Sequence, residues 1–174
     1  SLVEFDFEDD EHFNPRTPAV FGLDPDRLFI TNEALDYSLV AVRPASAERA
    51  VLLASFGYLP LSERQGKILV KEYVAVIQHP GGASKKIALR NNRLVDVFDD
   101  FVHYTTDTDK GASGSPVFND QWQVVGLHHA GVKKRDEKGQ VLAVDGSVWK
   151  PSMGEDRIAW AANEGVRISS ILAD

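Results

Sequence analysis

A chain of 174 residues, 43% of them hydrophobic, is long enough to build one large domain or two small lobes around a substantial core. A net charge of −7 argues against nucleic acid as a partner, and the absence of cysteine excludes disulfides, thiol nucleophiles and thiolate metal sites. No apolar run approaches the length of a membrane span and no charged start with an apolar segment marks a signal peptide, so no membrane partner is expected.

In chain order, Leu2-Val3-Glu4-Phe5-Asp6-Phe7 reads as a strand that starts without an initiating Met, as expected of a piece excised from something longer. Glu8 to Pro18 is a polar loop in which His12 reads as solvated. Asp24-Pro25-Asp26 is a turn signal, followed by Arg27 to Thr31 as a strand. Leu35 to Arg43 is an apolar strand with Asp36 at its mouth, a carboxylate that on its own reads as a turn cap. Residues 46–67 read as a connection between lobes, with a short element near Val51-Leu52-Leu53. Ile68 to Gln78 is rich in β-branched and aromatic residues, as strands are. His79-Pro80-Gly81-Gly82 makes a tight turn with His79 in a structural role. Ile87 to Arg90, Arg93 to Phe98 and Phe101 to Thr105 are short strands parted by Asn91-Asn92 and Asp99-Asp100. That rhythm favours an all-β barrel or sandwich.

The stretch Thr106 to Phe118 then sets a serine between two glycines just before an apolar run. Gly111 and Gly114 allow backbone conformations closed to other residues, so successive N–H groups can converge beside the Ser113 hydroxyl. Such a point suits an oxyanion, where one donor is typically worth roughly 3 to 4 kcal/mol in acyl transfer. An ordinary Gly/Ser turn is the other reading of the local pattern. Pro116 to Phe118 and Trp122 to His128 form a hairpin around Asn119-Asp120-Gln121, which ends at His128-His129-Ala130-Gly131. The paired histidines suggest a metal, but no third ligand lies at suitable spacing, so no metal site is assigned. Residues 132–156 are a polar surface loop carrying Lys133-Lys134-Arg135. Ile158 to Ala162 suits strand or helix, and Val166 to Leu172 reads as a final helix. No repeat, phosphate loop or dinucleotide fingerprint occurs, and no cofactor is implied.

The run Gly111-Ala112-Ser113-Gly114-Ser115-Pro116-Val117-Phe118, with Val125-Gly126-Leu127-His128 after it, resembles the trypsin-like serine peptidases, most closely their bacterial glutamyl-endopeptidase branch. Asp36 before an apolar strand looks like that family's triad aspartate. Ile77 to Gly82 and Asn163 to Arg167 are also similar to bacterial members, so the resemblance spans nearly the whole chain. It implies an all-β, two-lobe antiparallel double β-barrel, with an incomplete first barrel at 1–45, a connection at 46–67 and a second barrel with a short terminal helix at 68–174. Zero cysteines leans toward the bacterial cytoplasm and does not exclude secretion.

The resemblance also implies roles. Ser113 attacks the scissile carbonyl of a protein or peptide substrate, the N–H groups of Gly111 and Ser113 hold the oxyanion, Asp36 supports an imidazolium, and Ser115 is a packing residue. The family's catalytic His, set after an apolar strand, has no counterpart before Asp36, because His12 stands in the wrong context. Leu2 to Phe7 resembles the strand just after that His, which places the base outside this chain and leaves the chain alone inactive. The missing segment, or domains fused in a larger protein, are then its expected partners. Thr108 and His128 match the glutamyl branch's pocket for an acidic side chain, whereas Asp107 stands where trypsin-like members bind Lys or Arg. Two other readings compete. An α/β-hydrolase elbow fails at Ser115, where that motif needs Gly. A non-catalytic binding or regulatory module of the same fold is supported by the absent His.

Overall fold

The computed structural model describes residues 1–48, 50–106 and 110–174. Short strands follow one another as β1 (Leu2–Phe5), β2 (Ala19–Gly22), β3 (Phe29–Asn32), β4 (Tyr37–Val40), β5 (Ala75–Gln78), β6 (Lys86–Ala88), β7 (Arg93–Val97) and β8 (Phe101–Thr105). β9 (Pro116–Phe118), β10 (Val124–Lys133) and β11 (Trp160–Arg167) lead into helix α1 (Ile168–Ala173). β5 to β11 make one antiparallel sheet in the order β6-β5-β9-β10-β11-β8-β7, curled as a half-barrel. The first part of the chain contributes two separate ladders, β1 with β2 and β3 with β4. The architecture is the all-β one that the sequence implies.

Side-chain alternation explains why the large sheet holds together. Successive residues of a strand point to opposite faces. Val74 and Val76 therefore join Leu94, Val102, Tyr104, Val117 and Val125 in one core. Ala75, Phe118 and Val124 face the other way and pack with Ile168 of α1, supported by Ile77, Leu127 and Ile171. Covering this second face is the work of the terminal helix.

Several boundaries differ from the sequence reading, each for a local reason. The strand expected over Ile68 to Gln78 is regular only from Ala75. Before it, Lys71 has φ 77°, and the Glu72 carboxylate accepts the Leu69 N–H at 2.8 Å, closing a turn. β10 does not stop at Gly131 but continues to Lys133, paired with β11 as far as Trp160. Val166 and Arg167 lie in β11 rather than in the helix, with Val166 paired to both Leu127 and Phe101. The ambiguous apolar run at Ile158 to Ala162 enters that same strand. The element within residues 46–67 is a single 3₁₀ turn at Leu53–Phe56.

That turn has a packing role. Phe56 and Phe5 close over Phe21, with ring centroids 5.8 and 5.2 Å from it, and Phe21 is fully buried. Polar ties then fasten this part of the chain to the large sheet. Phe7 stacks on the His79 ring, Lys85 donates its N–H to the Phe7 carbonyl, and Glu8 pairs with Lys85. At the other end, Tyr37 donates to the Asp174 carboxylate at 2.6 Å and Asn32 donates to its second oxygen at 2.9 Å.

Removing the buried ring should show how much this small aromatic cluster carries. Phe21→Ala is expected to destabilise the chain by about 3 to 5 kcal/mol, while Phe29→Ala, at a ring left 57% exposed, stays within about 0.5 kcal/mol. Urea unfolding midpoints check both, and equal effects would mean that Phe21 is not a core residue.

Candidate active site

The serine loop is shaped by what lies beneath it. Gly111 has φ 94°, and a Cβ there would stand 3.0 Å from the His79 carbonyl oxygen and 3.2 Å from the Gly82 nitrogen. The turn at His79 to Gly82 thus packs directly against the loop, and Gly81 N–H donates to the Lys110 carbonyl at 2.6 Å. Gly114, with φ 85°, turns the chain back toward β10. There its N–H donates to the His128 carbonyl at 2.7 Å, and the Ser115 carbonyl accepts the His128 N–H at 2.9 Å. Ala112 and Ser115 are buried and Ser113 between them is exposed. The N–H groups of Gly111 and Ser113 donate to none of the described residues. An exposed hydroxyl beside two uncommitted backbone donors is a geometry that can receive a carbonyl oxygen.

Asp36 occupies the turn between β3 and β4 with φ 51°, a conformation Asp tolerates. Its carboxylate is 73% exposed and accepts a hydrogen bond from His129 Nδ1 at 3.1 Å through Oδ2. The Ser113 hydroxyl donates to the His129 backbone carbonyl at 3.3 Å. Ser113 and Asp36 therefore meet the same residue, one at its backbone and one at its ring.

His129 reaches Asp36 because of a bulge. In the pairing of β10 with β11, His128 faces Gly165 and Ala130 faces Glu164, so His129 is the extra residue between two consecutive pairs. A bulge re-aims a side chain that regular alternation would send elsewhere. Nothing in the sequence spacing marks it, which is why His129, Glu164 and His103 escape a reading of residues alone. His129 Nε2 lies 3.1 Å from Glu164 Oε1, close as an ionic contact though not aligned as a hydrogen bond. Glu164 Oε2 takes His103 Nε2 at 2.6 Å.

The remaining histidines are engaged elsewhere. His12 is exposed near Glu11, and His79 Nδ1 meets the Ala83 carbonyl at 3.0 Å, in the structural role its turn suggests. His128 is buried with Nδ1 against the Tyr104 hydroxyl at 2.7 Å. Burial, reinforced by the neighbouring His129, holds the His128 imidazole below its ordinary pKa, and a hydrogen bond to the Glu164 backbone only partly offsets this. Since the adjacent histidines serve different partners, they do not act as a joint ligand pair.

A cleft of about 690 Å³ opens beside Ser113, with His128, His129, Lys110 and Lys133 among its walls. Trp160 lies flat against Gly131, where a Cβ would come within 2.8 Å of the ring. Lys110 reaches Glu155 at 2.7 Å, and that hydrogen bond holds the Glu155 carboxyl below its ordinary range. Asp107 and Thr108 lie outside the described residues.

Comparison with known proteins adds three findings. Residues 2–127 match the family model described as trypsin-like peptidase domain. The chain is 39% identical over its whole length to the uncharacterized protein y4fB of Sinorhizobium fredii (strain NBRC 101917 / NGR234), and 34% identical over 60% of its length to the secreted RxLR effector protein 73 of Plasmopara viticola. It spans only 29% and 26% of those two relatives. A solved structure of a Glu endopeptidase in complex with MPD superposes with a TM-score of 0.51 at 15% identity, covering 90% of this chain and 61% of that one. At that identity the likeness shows the fold.

The state of His128 has a consequence for stability. Its imidazole binds a proton less readily in the folded chain than at the ordinary value of 6.5, so the unfolded chain takes up more protons below that pH. Stability is expected to fall as pH drops through 6.5 toward the depressed folded value, and the slope should shrink in His128→Asn. Urea unfolding at a series of pH values measures it, and a flat profile across that window for the unaltered chain would refute it.

Proposed function

The chain belongs to the trypsin-like peptidase domain family, and on that premise we propose that it is a serine endopeptidase domain acting through an acyl-enzyme on Ser113. The observation that carries this reading is the exposed Ser113 hydroxyl beside the uncommitted N–H groups of Gly111 and Ser113, in a loop fixed by Gly111 and Gly114. Ser113 Oγ bonds to the carbonyl carbon of the scissile peptide while its proton passes to an imidazole. The two N–H groups hold the oxyanion, and the imidazolium returns the proton to the leaving amine. Water then hydrolyses the ester by the same route.

The imidazole comes from outside residues 1–174. Each of the five histidines has another partner or is solvated, and the Ser113 hydroxyl meets a backbone carbonyl rather than a ring. Asp36 keeps Oδ1 available for an incoming Nδ1–H, since His129 takes only Oδ2. Without that base Ser113 stays protonated, so this chain alone is inactive beyond a residual of roughly 10³ to 10⁴ over water. The segment that carries the base, or domains fused to this one in a longer protein, are then its partners.

The substrate is a protein or peptide cleaved after an acidic residue. The resemblance assigns His128, in the cleft wall, and Thr108 as donors for its carboxylate, and Lys133 adds positive charge at the rim, where Lys110 is already paired with Glu155. Asp107 argues for a basic residue instead, and cleavage of peptides varied at that one position decides between them. A non-catalytic binding module is the second reading, favoured by the absence among residues 1–174 of an imidazole for Ser113, whose hydroxyl meets a backbone carbonyl instead.

Labelling by a fluorophosphonate probe is expected for a form extended by its native upstream segment and absent for the 174-residue chain. Ser113→Ala should abolish it and Asp36→Asn should slow it by about 10⁴. No labelling of the extended form would overturn the peptidase reading and leave the binding module.

A further inference from the structure

Four titratable side chains from four parts of the chain form one continuous line across the sheet toward the cleft. His103 on β8 and Glu164 on β11 are directly paired residues of neighbouring strands, and Glu164 is in turn paired with Ala130 on β10, next to the bulged His129. The line runs from His103 Nε2 to Glu164 Oε2 at 2.6 Å, from Glu164 Oε1 to His129 Nε2 at 3.1 Å, and from His129 Nδ1 to Asp36 Oδ2 at 3.1 Å. Both oxygens of Glu164 are used, one by each imidazole. Aromatic rings flank the imidazoles. Phe101 stacks on His129 with centroids 5.5 Å apart, and Phe98 meets the His103 ring edge-on at 4.6 Å. The His129 side chain is only 13% exposed, so solvent screens it far less than it screens Asp36.

We infer that His129, oriented by Glu164 and His103, is a positioning residue that holds the Asp36 carboxylate for the catalytic base; this rests on the peptidase reading above. Asp36 itself has little to fix it. It stands on an exposed turn in a two-stranded ladder, and among the described residues its carboxylate accepts only from His129. His129, by contrast, is bulged from β10 between His128 and Ala130, which both pair with β11, and its ring is clamped between Phe101 and Glu164. The large sheet thereby dictates where a carboxylate of the smaller ladder points. Asp36 Oδ1 is left outward for the base, and a carboxylate free to rotate would present either oxygen or neither.

Two measurements test this together. On the 174-residue chain, imidazole NMR is expected to show a slowly exchanging Nδ1–H resonance that disappears in His129→Leu and is lost or moves upfield in Asp36→Asn. On the extended form, His129→Leu is expected to slow fluorophosphonate labelling about 10- to 100-fold. His129→Asn, whose amide can donate from the Nδ1 position, restores most of the rate. Glu164→Gln, at a residue outside the cleft wall, should give an intermediate loss of kcat with KM for a peptide substrate within about twofold, because binding is not what the line controls. An Nδ1–H resonance indifferent to Asp36→Asn overturns the inference whether or not the extended form labels. Labelling of His129→Leu at the unaltered rate also overturns it, and so does failure of His129→Asn to recover while the Asp36-dependent resonance is intact in the unaltered chain. If the extended form never labels but the resonance depends on Asp36, the peptidase reading fails and the fixing of Asp36 by His129 stands.

Discussion

Two hydrogen bonds hold the serine loop to β10, from Gly114 N–H to the His128 carbonyl and from His128 N–H to the Ser115 carbonyl, and the rest of the site depends on them. They seat the loop on the longest strand of the sheet, which is paired with β9 on one side and β11 on the other. A strand held on both edges cannot shift without breaking two ladders, so the loop inherits its rigidity. Immediately beyond that seat comes the bulge at His129. Its carbonyl receives the Ser113 hydroxyl and its ring receives the Asp36 carboxylate. Loop, cleft wall and carboxylate contact are thus set by the consecutive residues His128 to Gly131 of one strand and their neighbours.

The coupling between the two parts of the molecule is of a different kind. The β1–β2 and β3–β4 ladders are short, and a two-stranded ladder is marginal by itself. The Phe5, Phe21 and Phe56 cluster packs the β1–β2 ladder against the 3₁₀ turn, and contacts at single points, such as Phe7 on His79 and Tyr37 with Asp174, tie the two ladders to the rest of the chain. Glu8 adds an ionic tie through Lys85 and Arg16, and its hydrogen bond to Lys85 is the main reason its carboxyl sits below the ordinary range. Phe29, Ile30 and Leu39 on β3 and β4 remain exposed. Precision at Asp36 therefore cannot come from its own ladder, and the sheet side supplies it through His129.

Charge is handled locally in this acidic chain. Three carboxylates near the cleft meet a cation or an imidazole: Glu155 with Lys110, Glu164 with His103 and His129, and Asp36 with His129. Exposed pairs such as Lys110 with Glu155 contribute little to stability, since solvent screens them. The half-buried line through Glu164 is screened less.

The sequence by itself determined the period-two strands, the turns that part them and the serine loop, because those features are set by local chemistry. Glycines where φ is positive, β-branched runs, and Asn or Asp between strands all act within a few residues. It also singled out Ser113, Asp36, Gly111 and His128, whose residue types carry recognisable chemistry. Tertiary structure alone decided which histidine meets Asp36. That pairing spans ninety-three positions and hangs on a one-residue bulge that no spacing in the chain announces. His103 and Glu164, sixty-one positions apart, are neighbours only because β8 lies beside β11. The strand ends were likewise decided by partners, since β10 and β11 extend each other beyond the points where their own residues would stop. Local physics wrote the elements, and the register between distant strands chose which side chains share a site.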